Sequence, residues 1–244
     1  MTEDHSIQKL LKTIGIIGGM SYESSTHYYE RINKQVNDRI GGLNTATIIM
    51  YSVNLGEIEP MMRADKWDEI SVILTDIAKN LETAGADVIV IATNTMHKLF
   101  DVIQASVSVP MIHIADTVAD KCISQNIRDV GLIGTAYTMK EPFLKDRLAQ
   151  KGLKVVVPDS DEKINEINRI VFEELCLGKI LDSSREYYKQ IIEEFASVYG
   201  AKGIILGCTE VEMLISKNDV SIPIFDTTEA HIDGIVDLIA PVSR

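Results

Sequence analysis

Short apolar runs that end in small or polar residues dominate the hydropathy pattern of this chain. Gly85–Thr95 reads GADVIVIATNT, and Gly200–Glu210 reads GAKGIILGCTE. In each segment Gly-Ala precedes an apolar run, which leads to a small residue and then to a hydroxyl or thiol, Thr93 in one and Cys208 in the other. Continuous apolar runs of this length are typical of strands buried on both faces of a parallel sheet. We therefore predict two central strands with Thr93 and Cys208 at their carboxyl ends.

The likeness between the two segments extends over most of the chain. Residues 12–19 match 128–135, and residues 107–112 match 220–225, in the same order and about 115 residues apart. Three strand-like segments that recur in one order at a nearly constant spacing indicate a duplicated domain rather than chance similarity. Because the runs are of the doubly buried kind, each copy is expected to contain a parallel sheet.

The duplication predicts the architecture of the whole chain. We expect an α/β fold of two similar lobes, each a parallel sheet flanked by helices, related by a pseudo-two-fold axis with the active site between them. The first lobe is predicted to comprise residues 1–115 and 228–244, and the second residues 116–227. Ligands of open α/β sheets bind outside the carboxyl ends of the strands. Thr93 and Cys208 therefore occupy equivalent candidate positions, one in each lobe.

Helical patterns alternate with the strands. Ser21 is suited to cap a helix that ends at Gly41, and apolar residues recur at helical spacing from Trp67 to Ala84. The predicted strands, besides those that end at Thr93 and Cys208, are 13–17, 46–52, 129–133 and 153–157. The predicted helices cover 28–39, 67–84, 96–104, 116–126, 185–199 and 229–238, with two more that end at Lys151 and Gly178. Residues 53–66 and 158–163 are predicted to be loops.

Net charge and cysteine usage exclude several classes of function. The 244 residues carry a formal net charge of −12 and no run of Lys or Arg, so a nucleic-acid partner is not expected. The first apolar stretch, Ile14–Ile17, is too short to cross a membrane, and no signal-peptide pattern precedes it. Cys122, Cys176 and Cys208 are too few and too scattered for a disulfide scaffold or a zinc site. We therefore expect a reduced, soluble, cytoplasmic protein without a metal site.

Cys208 and Thr93 differ in the chemistry that they offer. Cys208 precedes Thr209, Glu210 and a predicted helix, and a thiol at a helix N-terminus has a lowered pKa that favours the reactive thiolate. A buried thiol without a chemical role is the equally good alternative. Thr93 is far less acidic, so it is expected to donate a proton to a developing carbanion, to bind substrate, or only to cap the helix that follows.

Two further places suit an anion or a carboxylate. Gly18 and Gly19 form a strand-to-helix turn, where backbone N–H groups and the helix N-terminus attract negative charge, although a tight turn alone explains the glycines as well. Their spacing is not that of a dinucleotide-binding loop. Arg63 lies in a predicted loop after a strand and suits bidentate capture of a carboxylate, although a solvated surface arginine fits the sequence equally.

Four motifs resemble the aspartate/glutamate racemase family, and the likeness covers essentially the whole chain after its first dozen residues. They are TIGIIGGMS at 13–21, ATNTMHK at 92–98, FEELCLG at 172–178 and GCTE at 207–210. They are most similar to the bacterial branch that acts on L-aspartate and L-glutamate. The resemblance implies an isomerase that uses no pyridoxal phosphate or other cofactor and takes a small acidic amino acid as its substrate. It is also compatible with a homodimer.

The resemblance assigns roles to the two strand-end residues. Members of the family use two acid/base residues on opposite faces of the substrate, and most carry cysteine at both positions. Here Cys208 matches the second position and Thr93 replaces the first, a pairing known in the L-aspartate/glutamate branch. Cys208 is thereby implied to deprotonate the L-form, and Thr93 to deliver a proton from the opposite face. Because the high pKa of an alcohol opposes its use as a base, we expect a marked preference for L-substrates.

The resemblance also implies a set of substrate-binding residues. Those expected to meet the α-carboxylate and amine are Met20, Ser21, Asn94, Thr95, Thr135 and Thr209. The family places a basic residue on the distal carboxylate just before the FEEL segment, but an ungapped match puts Glu166 there, which would repel a dicarboxylate. Lys163 and Arg63 are the alternative partners of that carboxylate. Met62 stands where close relatives carry a polar group.

Two other functions remain compatible with the sequence. One is a carbanion enzyme with a single thiol, similar to the arylmalonate decarboxylases, which protonate from one face. The other is an amino-acid-binding protein without catalysis, in which Thr93 marks lost activity. The retained Asn94, Thr95, Thr209 and Glu210 favour the racemase over the decarboxylase.

Overall fold

The chain forms two compact units in a computed structural model that describes residues 11–240. Unit 1 spans Met1–His113 and His231–Arg244, and unit 2 spans Ile114–Ala230. The boundaries expected from the sequence fell between 115 and 116 and between 227 and 228. Each unit has its own parallel sheet flanked by helices, which confirms the predicted α/β class.

The sheet of unit 1 has three parallel strands. β1 (Ile14–Gly18) lies between β2 (Ile48–Ser52) and β3 (Val88–Ile91), and Met111 adds a single parallel bridge to Ile89. Every residue of β1 and β3 is buried, as continuous apolar runs predict for strands covered on both faces. Both strands lead directly into residues that the sequence singled out.

The sheet of unit 2 has four parallel strands in the order β5-β4-β6-β7. The strands are β4 (Asp129–Gly134), β5 (Lys154–Val156), β6 (Gly203–Gly207) and β7 (Ile224–Asp226). The last residues of β4 and β6 pair in register, so these two strands end side by side. The residues that follow them are therefore neighbours at one edge of the sheet.

Ten α-helices occur within residues 11–240. In chain order they are α1 (Tyr22–Ile40), α2 (Leu55–Arg63), α3 (Trp67–Thr83), α4 (Phe100–Gln104), α5 (Ile114–Ser124), α6 (Ala136–Lys140), α7 (Pro142–Gln150), α8 (Asp161–Glu173), α9 (Asp182–Ser197) and α10 (Thr227–Ile239). Ile232, Ile235 and Ile239 of α10 pack in the core of unit 1 with residues of β1 and β3. No helix of this described part is both long and apolar enough to span a lipid bilayer.

Residues 55–63, which the sequence predicted to be part of a loop, form α2. The side chain of Asn54 caps its first turn, and Ile58 and Met62, one helical turn apart, are both buried. Pro60 lies inside the helix, where it removes a single N–H donor. The cap and the buried pair outweigh that loss, so the loop prediction was wrong.

The predicted loop at 158–163 is also partly helical, because α8 begins at Asp161. The Ser160 hydroxyl accepts a hydrogen bond from the backbone N–H of Lys163 at 3.3 Å and caps the first turn. The acidic side chains of Asp161 and Glu162 favour the same helix end through its dipole. Lys163 therefore lies in the first turn of a helix rather than in a loop.

Candidate active site

The first strand of unit 1 ends in a turn that serine side chains hold. Ser21 caps α1, and its Oγ accepts a hydrogen bond from the backbone N–H of Ser24 at 3.2 Å. Ser25 Oγ accepts a hydrogen bond from the Gly19 N–H at 2.7 Å and donates one to Ser21 O at 2.9 Å. Met20 is buried within this turn, and its peptide bond to Ser21 is cis. The predicted cap at Ser21 is confirmed.

Gly19 is required by the close approach of this turn to the chain after β2. Its φ is +90°, a value that favours glycine. A Cβ at this position would lie 2.2 Å from the backbone O of Val53, which cannot give way as a flexible side chain would. Local packing is therefore sufficient to explain this glycine.

Thr93 follows β3 and is half-buried, with both of its flanking peptide groups fixed by side chains. Ser24 Oγ donates a hydrogen bond to Ala92 O at 2.9 Å, and His97 Nδ1 lies 2.8 Å from Thr93 O. The backbone then turns through a 3-10 helix at Thr95–Leu99 before the short α4. The helix predicted at 96–104 is thus present in two shorter pieces. Ser24 links the turn after β1 to the Thr93 segment.

Cys208 follows β6 in unit 2 and is buried. Its Sγ donates a hydrogen bond to Glu210 Oε2 at 3.1 Å, and the Thr209 hydroxyl donates to the same oxygen at 2.6 Å. One carboxylate oxygen therefore accepts hydrogen bonds from both the thiol and its neighbouring hydroxyl. Thr209–Met213 is a 3-10 turn rather than an α-helix.

The predicted lowering of the Cys208 pKa was wrong. Burial raises the pKa of this thiol well above its usual value, and the negative charge of Glu210 raises it further. The sequence argument assumed a helix N-terminus with its positive potential, but the element is a short 3-10 turn that carries Glu210 and Glu212. Cys208 is consequently a thiol at rest.

Thr135 lies at the same edge of the unit 2 sheet as Cys208, because β4 and β6 end side by side. Its hydroxyl caps α6 and lies 3.1 Å from the Thr138 hydroxyl. Unit 2 therefore brings Thr135, Cys208 and Thr209 together at the carboxyl ends of adjacent strands. In unit 1 the ends of the adjacent strands β1 and β3 bring together another set, Met20, Ser21, Thr93, Asn94 and Thr95.

The charged candidates of α8 are held in ion pairs within unit 2. Lys163 Nζ lies 2.5 Å from a carboxylate oxygen of Glu194 and 2.9 Å from one of Asp159. Glu166 accepts two hydrogen bonds from the Arg169 guanidinium, at 2.9 and 2.7 Å, which lower the pKa of this carboxyl. The negative charge that was expected at Glu166 is therefore offset by Arg169.

Met62 and Arg63 lie at the end of α2 rather than in a loop. Met62 is buried, whereas the Arg63 side chain is largely exposed and forms an ion pair with Glu59 one turn earlier. Both candidates thus lie on a helix that follows β2, the strand beside β1.

The sequence of the chain also matches a known protein family. The family model of the Asp/Glu/hydantoin racemases matches residues 17–235, a range that includes Thr93, Cys208 and every predicted substrate-binding residue. The chain belongs to the Asp/Glu/hydantoin racemase family.

Individual relatives of this racemase family agree with the assignment. The crystal structure of a Yersinia pestis protein assigned as an Asp/Glu racemase is 44% identical with a TM-score of 0.88, over 93% of this chain and 98% of that one. An aspartate racemase homologue from Pyrococcus horikoshii OT3 is 39% identical with a TM-score of 0.83, over 94% and 100% of the two chains. The broad specificity amino-acid racemase RacX of Bacillus subtilis (strain 168) is 24% identical over 222 residues, 88% of this chain and 92% of RacX.

Four residues of this racemase-family chain contribute contacts that the sequence did not indicate. Ser24 and His97 bind the backbone on either side of Thr93, Glu210 binds the Cys208 thiol, and Arg169 binds Glu166. The spacing of Glu166 and Arg169, three residues apart on a helix, was the available signal for the last of these. Ser24 lies far from Thr93 in sequence, so its contact depends on the pairing of β1 with β3.

Proposed function

We propose that this protein is a cytoplasmic, cofactor-independent racemase that interconverts the L- and D-forms of aspartate and glutamate by α-proton transfer. Membership of the racemase family supports the reaction class. The observation that carries the proposal is the Cys208 thiol at the carboxyl end of β6, with its Sγ 3.1 Å from the Glu210 carboxylate. A thiol beside a proton acceptor is the arrangement that general-base chemistry requires.

Cys208 acts as the base toward the L-substrate in this proposal. Glu210 Oε2 accepts the thiol proton, and the thiolate then removes the α-proton. Because burial raises the pKa of Cys208, its thiolate is a stronger base than an exposed thiolate once it forms. The α-proton of an amino acid is weakly acidic, so this added basicity favours the difficult step.

Thr93 delivers a proton to the opposite face of the carbanion. The hydroxyl proton passes to the α-carbon, and the proton held by Glu210 returns to Thr93 through solvent, so that thiol, carboxylate and hydroxyl are all restored. The reverse reaction would require Thr93 to act as a base, which an alcohol does poorly near neutral pH. Because the two enantiomers have equal free energy, kcat/KM for conversion in the two directions must be equal, so we propose that the asymmetry appears as α-proton exchange that is faster for L- than for D-substrates.

Substrate binding in this proposal uses the strand-end residues of both units. Met20, Ser21, Asn94, Thr95, Thr135 and Thr209 bind the α-carboxylate and amine. For the distal carboxylate, Lys163 and Arg63 are the candidates, and each already binds an internal carboxylate, Glu194 or Glu59. Either residue must exchange that partner for the substrate, which weakens binding and favours a broad choice of substrate.

Chiral chromatography of the products tests this function. Wild-type protein incubated separately with L-aspartate and L-glutamate is expected to form the D-enantiomer, and Cys208→Ser is expected to reduce that rate by about a hundredfold or more. Cys122→Ser, which changes another buried cysteine of the same unit in a different core cluster, is the matched control and should retain the activity.

Two outcomes would contradict the racemase. Release of carbon dioxide from an arylmalonate without any D-amino acid would indicate the decarboxylase reaction. Binding of L-aspartate without any chemical change would indicate an amino-acid-binding protein.

A further inference from the structure

The peptide groups on both sides of Thr93 are fixed by side chains from other parts of unit 1. Ser24 Oγ on α1 donates a hydrogen bond to Ala92 O at 2.9 Å, which fixes the peptide before Thr93. His97 Nδ1 lies 2.8 Å from Thr93 O, which fixes the peptide after it. The two peptide planes set the direction of the Cα–Cβ bond of Thr93, and a β-branched side chain has few χ1 rotamers, so these two bonds restrict where the Thr93 hydroxyl points.

The protonation of His97 follows from its partner. A carbonyl oxygen accepts hydrogen bonds and cannot donate them, so Nδ1 of His97 carries the hydrogen in this contact. The ring is buried and stacks on Phe100, with centroids 5.9 Å apart and planes inclined by 9°. The ring of His113 packs against the ring of His97, with centroids 4.6 Å apart. The donor is therefore held in place by aromatic packing.

A second histidine stabilises the same cluster without adding charge. His231 Nε2 lies 3.0 Å from Ile112 O, so it donates, and His231 Nδ1 accepts from the Tyr28 hydroxyl at 2.8 Å. Burial lowers the pKa of His231 to about 3, so this imidazole is neutral at physiological pH. Its ring lies 5.7 Å from that of His97.

Unit 2 holds the corresponding part of its own backbone differently. Cys208 O accepts a hydrogen bond from the backbone N–H of Val211 at 3.2 Å, within the 3-10 turn itself. A thiolate formed with the help of Glu210 is a strong nucleophile and base, so its action depends less on its distance and angle to the α-carbon. A threonine hydroxyl is a weak acid, and its efficiency as a donor depends strongly on distance and angle to the α-carbon.

From these contacts we propose that His97 and Ser24 are positioning residues that aim the Thr93 hydroxyl at the carbanion and thereby determine how often deprotonation ends in inversion. The proposal rests on the proposed racemase function and adds the two groups on which reprotonation at Thr93 depends. Neither residue is proposed to exchange a proton with the substrate.

The test measures a ratio that distinguishes protonation of the carbanion by Cys208 on one face from protonation by Thr93 on the other. In D2O, exchange of the α-proton of L-aspartate with retention reports deprotonation and return by Cys208, and formation of D-aspartate reports protonation by Thr93. The ratio of D-aspartate formed to L-exchange is measured by NMR and chiral chromatography for each variant. A general loss of folded protein lowers both rates together and leaves this ratio unchanged.

His97→Gln and His97→Asn are the matched pair. Asparagine places its amide NH2 near the position of Nδ1 and retains a donor to Thr93 O, whereas glutamine places its amide near the position of Nε2. We expect His97→Gln to lower the ratio about tenfold and His97→Asn to keep it within about twofold of wild type.

Ser24→Ala removes the other hydrogen bond and should also lower the ratio about tenfold. Ser106→Ala is its control, because Ser106 Oγ also donates to a backbone carbonyl of unit 1, that of Ile103 at 2.7 Å. If His97→Gln does not fold, the comparison of Ser24→Ala with Ser106→Ala tests the positioning role by itself. A wild-type ratio in His97→Gln and Ser24→Ala would overturn the positioning role, whereas absence of L-exchange in wild type would overturn the racemase function itself.

Discussion

At the scale of single residues, the main feature of the candidate site is a thiol that is buried beside a carboxylate. Cys208 donates to Glu210, and both burial and that negative charge keep the thiol protonated at rest. The sequence identified Cys208 through its place after an apolar strand, but it did not reveal the direction of the pKa shift. That direction follows first from the burial of the thiol and then from the negative charge of Glu210, which lies within hydrogen-bonding distance.

Replacing Glu210 should move the ionisation of Cys208 to lower pH. In Glu210→Gln the neighbouring negative charge is lost while the burial remains, so the pKa of Cys208 falls and the thiolate forms at lower pH. The rate at which iodoacetamide alkylates Cys208, followed by mass spectrometry as a function of pH, measures this shift. D-product formation by the same variant should decrease, because the acceptor of the thiol proton is gone.

Glu212→Gln provides the matched control for this measurement, since Glu212 lies on the same turn and the substitution removes the same charge without removing the hydrogen bond from Cys208 to Glu210. Its alkylation profile should follow that of wild type. An equal shift in both variants, or no shift in Glu210→Gln, would show that Glu210 does not raise the pKa of the thiol.

At the scale of elements, the turns after the strands place the candidate residues. The strands and long helices follow from apolar patterns and caps, and Ser21 was correctly predicted as the cap of α1. The helices α2 and α8 began where the sequence indicated loops, and each is capped by a single side chain, that of Asn54 or Ser160. Short helices of this kind depend on single capping contacts that a hydropathy pattern does not show.

Gly19→Ala should strongly destabilise unit 1. The new Cβ would lie 2.2 Å from Val53 O at a φ of +90°, so the substitution adds a backbone clash to an unfavourable conformation. Gly85→Ala is the control, because Gly85 has a φ of +99° and no atom within 4 Å of the added Cβ. Denaturant unfolding should show a loss of about 1 kcal/mol for Gly85→Ala and of several kcal/mol for Gly19→Ala. Equal losses would show that the turn can move away from Val53.

At the scale of the whole molecule, the internal repeat was the most informative feature of the sequence. It predicted two parallel α/β sheets, and the register agrees with it: Ile89 pairs with Met111 in unit 1, and Ile204 pairs with Ile224 in unit 2. These four residues occupy matching places in the repeated segments. The contacts around Thr93 and Cys208 could not be predicted in the same way, because Ser24, His97 and Glu210 differ from their counterparts in the other half of the repeat.

The two halves of the repeat are chemically unequal, with Thr93 in one and Cys208 in the other. In the proposed reaction, the Cys208 thiol with its carboxylate partner acts on one face of the substrate, and the Thr93 hydroxyl acts on the other. A symmetric two-thiol enzyme would exchange the α-proton of both enantiomers at similar rates, whereas this chain should exchange that of the L-form faster.

The most direct test is α-proton exchange in D2O, followed by NMR for L- and D-aspartate and for L- and D-glutamate, with wild type, Cys208→Ser and Thr93→Val. The account predicts exchange of the L-forms that disappears in Cys208→Ser, persists in Thr93→Val without D-product, and is much slower for the D-forms of the wild type. Equal exchange of both enantiomers by the wild type, or L-exchange that survives in Cys208→Ser, would contradict the assignment of Cys208 as the base and Thr93 as the proton donor.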